Sequence, residues 1–256
     1  GVALLAAAVR DRGVANWATT GGSTPTGIYR ALGSPHLRDG VAWERVHVWF
    51  GDDRYVPRDH PRSTVRLVDD VLLRTGAYSG QSGSGESGID VALGRETGVP
   101  LAAVNVHPFP CAEAIGEGSG PEGCAARYGE EVAGAVATDG GTPWPVFDLV
   151  LLGVGQDGHI LSVFPGSPAF DSTALALAIP APTHIEPHVP RVTLNPAILD
   201  VARSTVVVSH GAAKAEALGC VFGPVRDERR WPAQRARRAG ATWILDEAAA
   251  AALARA

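Results

Sequence analysis

Short apolar segments alternate with amphipathic segments along most of the chain. The apolar segments have the length of β-strands and occupy residues 15–19, 46–50, 103–106, 147–152, 189–194, 205–209 and 242–245. Helices are predicted at residues 26–32, 61–73, 122–136, 196–201, 212–222 and 247–254, and residues 2–9 have the pattern of the tail of a further helix. Strands that alternate with helices predict an α/β protein whose mostly parallel sheet is covered on both faces.

One segment interrupts this alternation. Residues 78–88, with the sequence YSGQSGSGESG, are rich in glycine and serine, which is typical of a flexible surface loop. Such a segment could also link two domains. Because the apolar pattern continues the same architecture on both sides, we interpret it as a surface insertion and expect residues 1–256 to form a single domain.

The strongest candidate for a functional site follows the apolar segment at residues 147–152. Gly153 and Gly155 end this segment, and Asp157 and His159 come directly after them. A short apolar run that ends in glycine is typical of a strand buried on both faces. In open α/β sheets, ligands bind where the chain leaves the carboxyl ends of such strands. The pattern therefore places a carboxylate and an imidazole where a site is expected.

A second candidate site lies between a predicted strand and a predicted helix, in the sequence TGGSTPTGIY that begins at Thr20. Gly21 and Gly22 allow a tight turn and a close approach to a ligand, and Thr24 is expected to be the N-cap of the helix. Backbone N–H groups at a helix N-terminus can bind phosphate, and the hydroxyl groups of Ser23 and Thr24 could add hydrogen bonds. The alternative that these residues leave open is an ordinary capped helix after a tight turn.

Charged residues stand in or after three further strands. Asp52, Asp53 and Arg54 follow the strand predicted at residues 46–50, and Lys214 is expected about one turn into the helix after residues 205–209. Arg191 lies within a predicted strand, where a charge needs a partner; an anionic ligand or a nearby carboxylate would serve. In isolation, the two aspartates and Arg54 also fit a solvated loop with a local ion pair. Lys214 also fits an ordinary surface position.

Composition and charge exclude several classes of function. A formal net charge of -5 gives no support to nucleic-acid binding, and the arginine-rich residues 226–238 are interleaved with acidic residues, as on a solvated surface. No apolar run approaches the ~18 residues of a membrane span. The cysteines are odd in number and lack C-x-x-C spacing, which favours a reduced, cytoplasmic protein. Because the chain contains no methionine, we expect that it begins inside the domain and that a strand could precede Gly1.

Two other chemistries find little support in the sequence. The nucleophile-elbow pattern G-x-S-x-G does not occur anywhere in the chain. His184 and His188 have the spacing of two zinc ligands on a helix, but Pro187 lies between them and argues against a helix. We therefore predict no metal site and interpret the other histidines, apart from His159, as structural or exposed.

Several motifs occur together and in order, and they carry a resemblance to a known family. They are GGSTPTGIYRAL, VWFGDDRYVPRDHPRS, VNVHPFP, FDLVLLGVGQDGHILSVFPGSPA, RVTLNPAIL, GAAKAEAL and TWILDEAAA. Together they resemble the 6-phosphogluconolactonase family, within a larger sugar-phosphate group that includes glucosamine-6-phosphate deaminase. The resemblance implies a three-layer α/β/α fold with a Rossmann-like sheet, and a cytoplasmic enzyme of the oxidative pentose phosphate pathway without metal or organic cofactor. We expect a monomer or small homo-oligomer whose partner is a phosphorylated sugar lactone.

The resemblance leaves a choice between two reactions. The deaminase motif D-G-H-I-A-F-N-E-P has a glutamate five residues after the histidine, and that carboxylate belongs to its acid–base machinery. Here this position is Phe164, which cannot titrate. The sequence GDDRYVP, with Arg54, also resembles the lactonase pattern. We therefore expect hydrolysis of 6-phospho-D-glucono-1,5-lactone to 6-phosphogluconate; the alternatives are glucosamine-6-phosphate deaminase/isomerase and a non-catalytic sugar-phosphate sensor, against which the intact DGH argues.

The resemblance also implies roles for individual residues. His159 would be the general base that activates water, and Asp157 would orient it or shape its loop. Arg54 would contact the phosphate or the developing oxyanion, and Asp52 the sugar hydroxyls. The residues implied in binding the 6-phosphate are Gly21, Gly22, Ser23, Thr24, Arg191 and Lys214. The family usually has D-E-R where this chain has aspartate at position 53, which puts any ion pair made by that glutamate in doubt.

Overall fold

The computed structural model describes residues 1–73 and 98–253. The predicted insertion at residues 78–88 and the final residue of the predicted C-terminal helix lie outside these ranges. The strands within them are β1 (Ala15–Thr19), β2 (Val46–Phe50), β3 (Asp52–Arg54), β4 (Val106–His107), β5 (Leu149–Leu152), β6 (Ala176–Ile179), β7 (Arg191–Leu194), β8 (Thr205–Ser209) and β9 (Ala241–Leu245). The α-helices are α1 (Val2–Arg12), α2 (Ser23–Leu32), α3 (Pro35–Arg38), α4 (Thr64–Val71), α5 (Cys111–Glu117), α6 (Gly120–Ala135), α7 (Ile198–Val201), α8 (Ala215–Phe222) and α9 (Glu247–Ala250).

Within the described ranges, six strands form the main sheet, in the order β4-β2-β1-β5-β8-β9. Every strand pair in this sheet is parallel, and helices flank it. The predicted α/β fold with a mostly parallel sheet is therefore confirmed. The chain builds outward from β1 on one side and from β5 on the other, so the strand order switches direction between these two strands. Open α/β sheets bind ligands at such a switch point, outside the carboxyl ends of the strands.

Three strands form a second sheet, which the alternation of strands and helices did not predict. β7 pairs in antiparallel fashion with both β3 and β6. All four residues of β7 are buried, so its apolar pattern does not differ from that of a central parallel strand. The two aspartates and Arg54, which also fitted a solvated loop, form β3; both aspartates are buried.

Two other segments differ from the prediction. Residues 103–106 were predicted as a strand, but Ala103–Asn105 is a 3₁₀ helix and only Val106–His107 pairs in the sheet. Val104 is 79% exposed, so its apolar side chain gives a misleading signal for a buried strand. The helix predicted at residues 2–9 is confirmed and continues to Arg12, where a left-handed Gly13 ends it.

Two buried tyrosines fasten helices to the carboxyl ends of central strands. The hydroxyl of Tyr29, on α2, donates to the carbonyl of Thr20 at 2.5 Å. The hydroxyl of Tyr128, on α6, accepts from the N–H of Phe50 at 2.8 Å and donates to its carbonyl at 3.0 Å. Burial raises the pKa of both phenols, so they stay protonated and keep donating. These contacts hold the ends of β1 and β2, from which two of the candidate site segments emerge.

Candidate active site

Four segments singled out from the sequence meet at one edge of the main sheet. They follow β1, β2, β5 and β8, which are neighbours in the order β2-β1-β5-β8. Because the strands are parallel, their carboxyl ends lie side by side at this edge. Two of the segments follow β1 and β5, where the strand order switches direction. The fold therefore brings four segments together at this edge. They are the candidate phosphate-binding segment at residues 20–29, the segment with Asp52 to Arg54, the segment with Asp157 and His159, and the segment with Lys214.

The Asp157–His159 segment forms a tight turn after β5. The N–H of Gly155 donates to the carbonyl of His159 at 2.8 Å, and Gly158 adopts a left-handed conformation with φ 79°. A Cβ atom at Gly155 would lie 2.0 Å from Nδ1 of His159, a distance that no real side chain could adopt. Position 155 is therefore glycine because the imidazole ring lies directly against its backbone.

The carboxylate of Asp157 makes direct contact with the imidazole of His159. Oδ1 of Asp157 lies 2.5 Å from Nδ1 of His159 and 3.2 Å from its backbone N. Burial raises the pKa of Asp157, but the hydrogen bonds and charge of His159, together with a hydrogen bond from His184, hold it well below its usual range. Asp157 is therefore an ionised acceptor. It fixes the tautomer of His159 that carries a proton on Nδ1 and leaves Nε2 as the basic nitrogen.

His184 belongs to this cluster, and sequence reasoning missed it. Its Nε2 lies 2.7 Å from Oδ2 of Asp157, so the carboxylate bridges two imidazoles. From the sequence, His184 was considered only as a zinc ligand together with His188. The latter instead contacts the carbonyl of Pro182 at 2.6 Å. No spacing rule could have found the contact, because a loop 27 residues along the chain makes it.

Phe164 packs against both imidazoles of this cluster. Its ring centroid lies 4.7 Å from that of His159 and 5.8 Å from that of His184, with the second pair nearly perpendicular. The side chain is only 8% exposed. From the sequence, Phe164 was important only because it is not a glutamate. In the structure it also forms one wall of the histidine pair, with no group that could exchange a proton.

Asp52 and Asp53 have different surroundings although they are adjacent. Oδ2 of Asp52 accepts a hydrogen bond from the hydroxyl of Ser162 at 2.6 Å. Asp53 instead accepts from the backbone N–H groups of Arg54 and Thr64, both at 2.7 Å, and from the hydroxyl of Ser63 at 3.1 Å. Burial raises the pKa of Asp53 to about 6 despite these donors. Asp53 therefore organises the chain between β3 and α4. Within the part of the chain that the structure describes, its carboxylate accepts from N–H and O–H donors and forms no ion pair.

Arg54 and Arg191 carry buried donor atoms that lack a partner in the described part of the chain. These atoms are Nε of Arg54 and both Nε and Nη1 of Arg191. Arg191 is only 3% exposed and donates from Nη2 to the carbonyl of Pro187 at 2.9 Å. Burial and the nearby charge of Arg54 lower the pKa of Arg191 to about 10, which still leaves it charged at neutral pH. Two desolvated guanidinium groups with free donors fit an anion.

In the candidate phosphate-binding segment, α2 begins at Ser23, three residues before the predicted start of this helix at residue 26. Gly22 is the N-cap, with φ 96° and ψ -174°, and the expected capping role of Thr24 is wrong because the helix already begins at Ser23. A Cβ at Gly21 would lie 2.5 Å from the hydroxyl oxygen of Thr64, so this backbone packs closely on the start of α4. The side chain of Ser23 lies outside the described part of the structure. The N-terminus of α2 points its free N–H groups toward the carboxyl edge.

Lys214 lies at the same edge. It was expected about one turn into an α-helix, but it precedes the helix instead. It ends the 3₁₀ helix Ala212–Lys214, which leads into α8. The N–H of Gly211 is held by both carboxylate oxygens of Asp246 at 3.0 Å. Burial lowers the pKa of Lys214, while the nearby charge of Asp157 acts in the opposite direction. Its ammonium group is therefore partly desolvated and within electrostatic reach of the carboxylate of Asp157.

Several of these residues line one open cavity, which has a volume of about 330 Å³. Its lining residues are Asp52, Arg54, His159, Leu161, Ser162, Phe164, Ile185, Glu186 and Arg191. Leu161 has the left-handed φ of 54°, which is unusual for a residue with a branched side chain and is typical of functional sites. The residues 21–24 and Lys214 share the edge of the sheet with this cavity but do not line it.

Two further observations bear on the class of site. Within residues 1–73 and 98–253, histidine, cysteine and acidic side chains form no group of three that could hold a metal ion. In the same part of the chain, the helices are too short or too polar to cross a membrane.

Comparison with known proteins gives a consistent result. A model of the family described as glucosamine-6-phosphate isomerases/6-phosphogluconolactonase matches residues 2–244. The chain is 33% identical over 243 residues to a 6-phosphogluconolactonase of Synechocystis sp., across 94% of this chain and 86% of the relative. It is 31% identical over 248 residues to a 6-phosphogluconolactonase of Streptomyces coelicolor, across 96% and 84% of the two chains. The solved structure of 6-phosphogluconolactonase from Trypanosoma cruzi superposes with a TM-score of 0.76 and 25% identity, across 98% and 88%.

Proposed function

This chain belongs to the glucosamine-6-phosphate isomerase/6-phosphogluconolactonase family, and from that premise we propose that it hydrolyses 6-phospho-D-glucono-1,5-lactone to 6-phosphogluconate. This is the hydrolytic step of the oxidative pentose phosphate pathway. The observation that carries the proposal is the Asp157–His159 pair, whose imidazole opens into a cavity with two arginines that carry free donors. A cytoplasmic location and a monomeric or small homo-oligomeric state stay predictions from the sequence.

His159 is the general base of the proposed reaction. Nδ1 is occupied by the contact with Asp157, and Nε2 makes no hydrogen bond within the described residues, so this nitrogen is available to accept a proton from water. The water oxygen then attacks C1 of the lactone. The ionised carboxylate of Asp157 stabilises the imidazolium that forms, as the aspartate of a catalytic triad does. General-base assistance of this kind contributes about 10²–10⁴ in rate.

The second half of the reaction returns the proton. The tetrahedral intermediate carries negative charge on the former carbonyl oxygen, and a guanidinium such as that of Arg54 is suited to stabilise it. When this oxyanion collapses, the bond between C1 and the ring oxygen breaks. The imidazolium of His159 donates its proton to the departing ring oxygen, which becomes the 5-hydroxyl of 6-phosphogluconate. Asp52 accepts from Ser162 and lines the cavity, which supports the proposal that it accepts hydrogen bonds from the sugar hydroxyls.

The phosphate group of the substrate requires a strong anion site, and three features of this edge support one. Arg191 and Arg54 supply buried, unpartnered N–H donors. The N-terminus of α2, after Gly21 and Gly22, supplies free backbone N–H groups and the positive end of the helix dipole. Lys214 completes the positive charge at the edge. We propose that these groups together bind the 6-phosphate and orient C1 toward His159.

The deaminase reaction of the same family is less well supported. The carboxylate that its motif places five residues after the histidine is replaced by Phe164, whose ring packs on the imidazole at 4.7 Å between centroids. A lactonase needs one base and donors for an oxyanion. The described cluster around His159 matches that smaller requirement.

Hydrolysis of freshly prepared 6-phosphogluconolactone, with the spontaneous rate subtracted, tests the proposal. We expect turnover by the wild type and a decrease in kcat of roughly 10²–10⁴ in His159→Ala. His36→Ala, on α3, is the matched control and should leave kcat unchanged. Near-wild-type turnover in His159→Ala would disprove the assignment of the base. Release of ammonia from glucosamine 6-phosphate would instead support the deaminase, and binding of 6-phosphogluconate without any turnover would support a sensor.

A further inference from the structure

The two carboxylate oxygens of Asp157 have separate partners. Oδ1 accepts from the backbone N and from Nδ1 of His159. Oδ2 has one hydrogen-bond partner within residues 1–73 and 98–253, which is Nε2 of His184 at 2.7 Å. The side chain of Asp157 is only 17% exposed, so little water is available to replace that contact. The orientation of the carboxylate therefore depends on His184 as well as on His159.

His184 is held in place although its side chain is 49% exposed. It lies in the loop between β6 and β7, whose two ends are tied together by the contact between Nδ1 of His188 and the carbonyl of Pro182 at 2.6 Å. Arg191 donates to the carbonyl of Pro187 at 2.9 Å and so holds the same loop to β7. The ring of Phe164 meets that of His184 at an angle of 88°. These contacts position the imidazole over Asp157 before any substrate binds.

We propose that His184 is a positioning residue of this site, which donates its Nε2–H to Asp157 and so holds the carboxylate in the orientation that seats His159. The inference rests on the proposed function for its effect on turnover, but the contact itself can be tested without turnover. His184 does not line the cavity, so it has no direct role in binding substrate. Its loss should therefore lower kcat and leave KM unchanged.

The expected decrease in kcat follows from the hydrogen bond that His184 donates to Asp157. The net contribution of a hydrogen bond to a charged group, such as that from His184 to the carboxylate of Asp157, corresponds to roughly 10–100-fold in an equilibrium. Without the imidazole of His184, Oδ2 of Asp157 loses its hydrogen-bond partner, and the carboxylate can rotate about its last torsion angle. His159 then spends less time in the orientation in which Nε2 faces the water molecule. We expect kcat to decrease roughly 10-fold, because the contact between Asp157 and His159 is weakened but not removed.

Three variants separate positioning from general damage to the loop. His184→Ala removes the donor and should lower kcat roughly 10-fold at constant KM. His184→Gln should restore most of the rate, because the amide nitrogen of glutamine reaches the position of Nε2 and also donates. Thr183→Ala, at a neighbouring exposed position of the same loop, is the matched control and should match the wild type. Equal losses in the Ala and Gln variants, or an increase in KM alone, would overturn the proposal.

A spectroscopic measurement tests the contact independently of activity. In protein with ¹⁵N-labelled histidine, the proton between Nδ1 of His159 and Asp157 should give a downfield ¹H resonance, because the two heavy atoms are 2.5 Å apart. His184→Ala should shift or broaden this resonance, and His184→Gln and Thr183→Ala should leave it in place. An unchanged resonance in His184→Ala would overturn the positioning role. If the wild type hydrolyses no lactone, the proposed function fails, and the resonance still decides whether His184 positions Asp157.

Discussion

Arg54 and Arg191 lie directly opposite each other in the antiparallel pair formed by β3 and β7. Like charges in directly opposed positions of two strands repel each other. The neighbouring carboxylates of Asp52 and Asp53 oppose this repulsion, since both raise the pKa of Arg191. They do not supply hydrogen-bond partners for the three buried donor atoms of the two arginines. An arrangement that is costly in the free protein becomes favourable when an anion lies between the two guanidinium groups.

This relationship predicts that Arg191, whose guanidinium is the more deeply buried, acts mainly on substrate binding. A hydrogen bond to a charged group contributes about 1.5–3 kcal/mol, so Arg191→Ala should raise KM for the lactone roughly 10–100-fold, with a smaller effect on kcat. Initial rates over a range of lactone concentrations measure both constants. Arg10→Ala, an exposed arginine of α1, is the control and should match the wild type.

Binding of an anion by the wild type and by Arg191→Ala can also be compared through thermal unfolding with and without phosphate. Inorganic phosphate should raise the midpoint of thermal unfolding of the wild type, because a ligand that binds only the folded state stabilises it. Arg191→Ala should lose most of this response. A wild-type response to phosphate in Arg191→Ala would remove the arginine from the anion site.

The sequence predicted the parallel sheet and its functional edge because the relevant signals are local. β1, β2 and β8 have the predicted bounds, since each is a short apolar run that ends at small or polar residues. The two glycines after β1 and the glycine-rich turn after β5 mark where the chain leaves the sheet. These features require no knowledge of distant contacts, which is why four site segments could be placed at strand ends from residue types alone.

The rest of the site depends on contacts between distant parts of the chain. The opposition of Arg54 and Arg191 follows from the register of β3 and β7, which no local pattern specifies. The contact between His184 and Asp157 is made by a loop with irregular backbone, where spacing carries no information about direction. The four residues of β6, ALAI, are all apolar, but two of them are alanine, which is uncommon in strands, so the segment was not predicted as a strand.

Gly155 provides a sharp test of how closely the imidazole must be placed. In Gly155→Ala, the new Cβ would lie 2.0 Å from Nδ1 of His159 and 2.6 Å from Oδ1 of Asp157, so the contact between these two side chains must be displaced. Displacements of about 1 Å in a catalytic group can cost 10²-fold in rate, and we expect a decrease in kcat of that order. We would measure kcat for activity and the far-ultraviolet circular dichroism spectrum for folding. The expected result is a decrease in kcat with an unchanged spectrum.

Gly153 supplies the matched control in the same turn. A Cβ at Gly153 would meet no atom within 4 Å, so Gly153→Ala should retain the wild-type rate. If Gly155→Ala were as active as Gly153→Ala, the position of the His159 ring would not limit catalysis.

Phe164 should contribute to both stability and catalysis. It is 8% exposed and packs on both imidazoles, and replacement of a buried phenylalanine by alanine costs about 3–5 kcal/mol. We expect Phe164→Ala to lose about 3 kcal/mol in the free energy of unfolding, measured by urea denaturation. We also expect it to lower kcat, because the ring that limits the movement of His159 is removed. A destabilised variant with wild-type kcat would assign Phe164 to the core alone.

The raised pKa of Asp53 predicts how the free energy of unfolding depends on pH. Its pKa in the folded protein is about 6, above the ordinary value of 3.8, so the folded protein binds more protons than the unfolded chain between these values. The free energy of unfolding should therefore decrease as pH rises from about 4 to about 6, by on the order of 3 kcal/mol from this group, and then level off. The lowered pKa of Asp157 acts in the opposite direction, but below this window, where its contribution to stability is lost as pH falls.

Asp53→Asn isolates this contribution. The amide oxygen can still accept from the N–H groups of Arg54 and Thr64, and the amide nitrogen can donate to the hydroxyl of Ser63, so the local geometry is retained. Urea denaturation at a series of pH values from 4 to 7 should show a smaller decrease for this variant than for the wild type. Asp70→Asn, at an exposed ion pair of α4, should keep the wild-type slope. An identical pH dependence in Asp53→Asn and the wild type would mean that Asp53 does not titrate in this range.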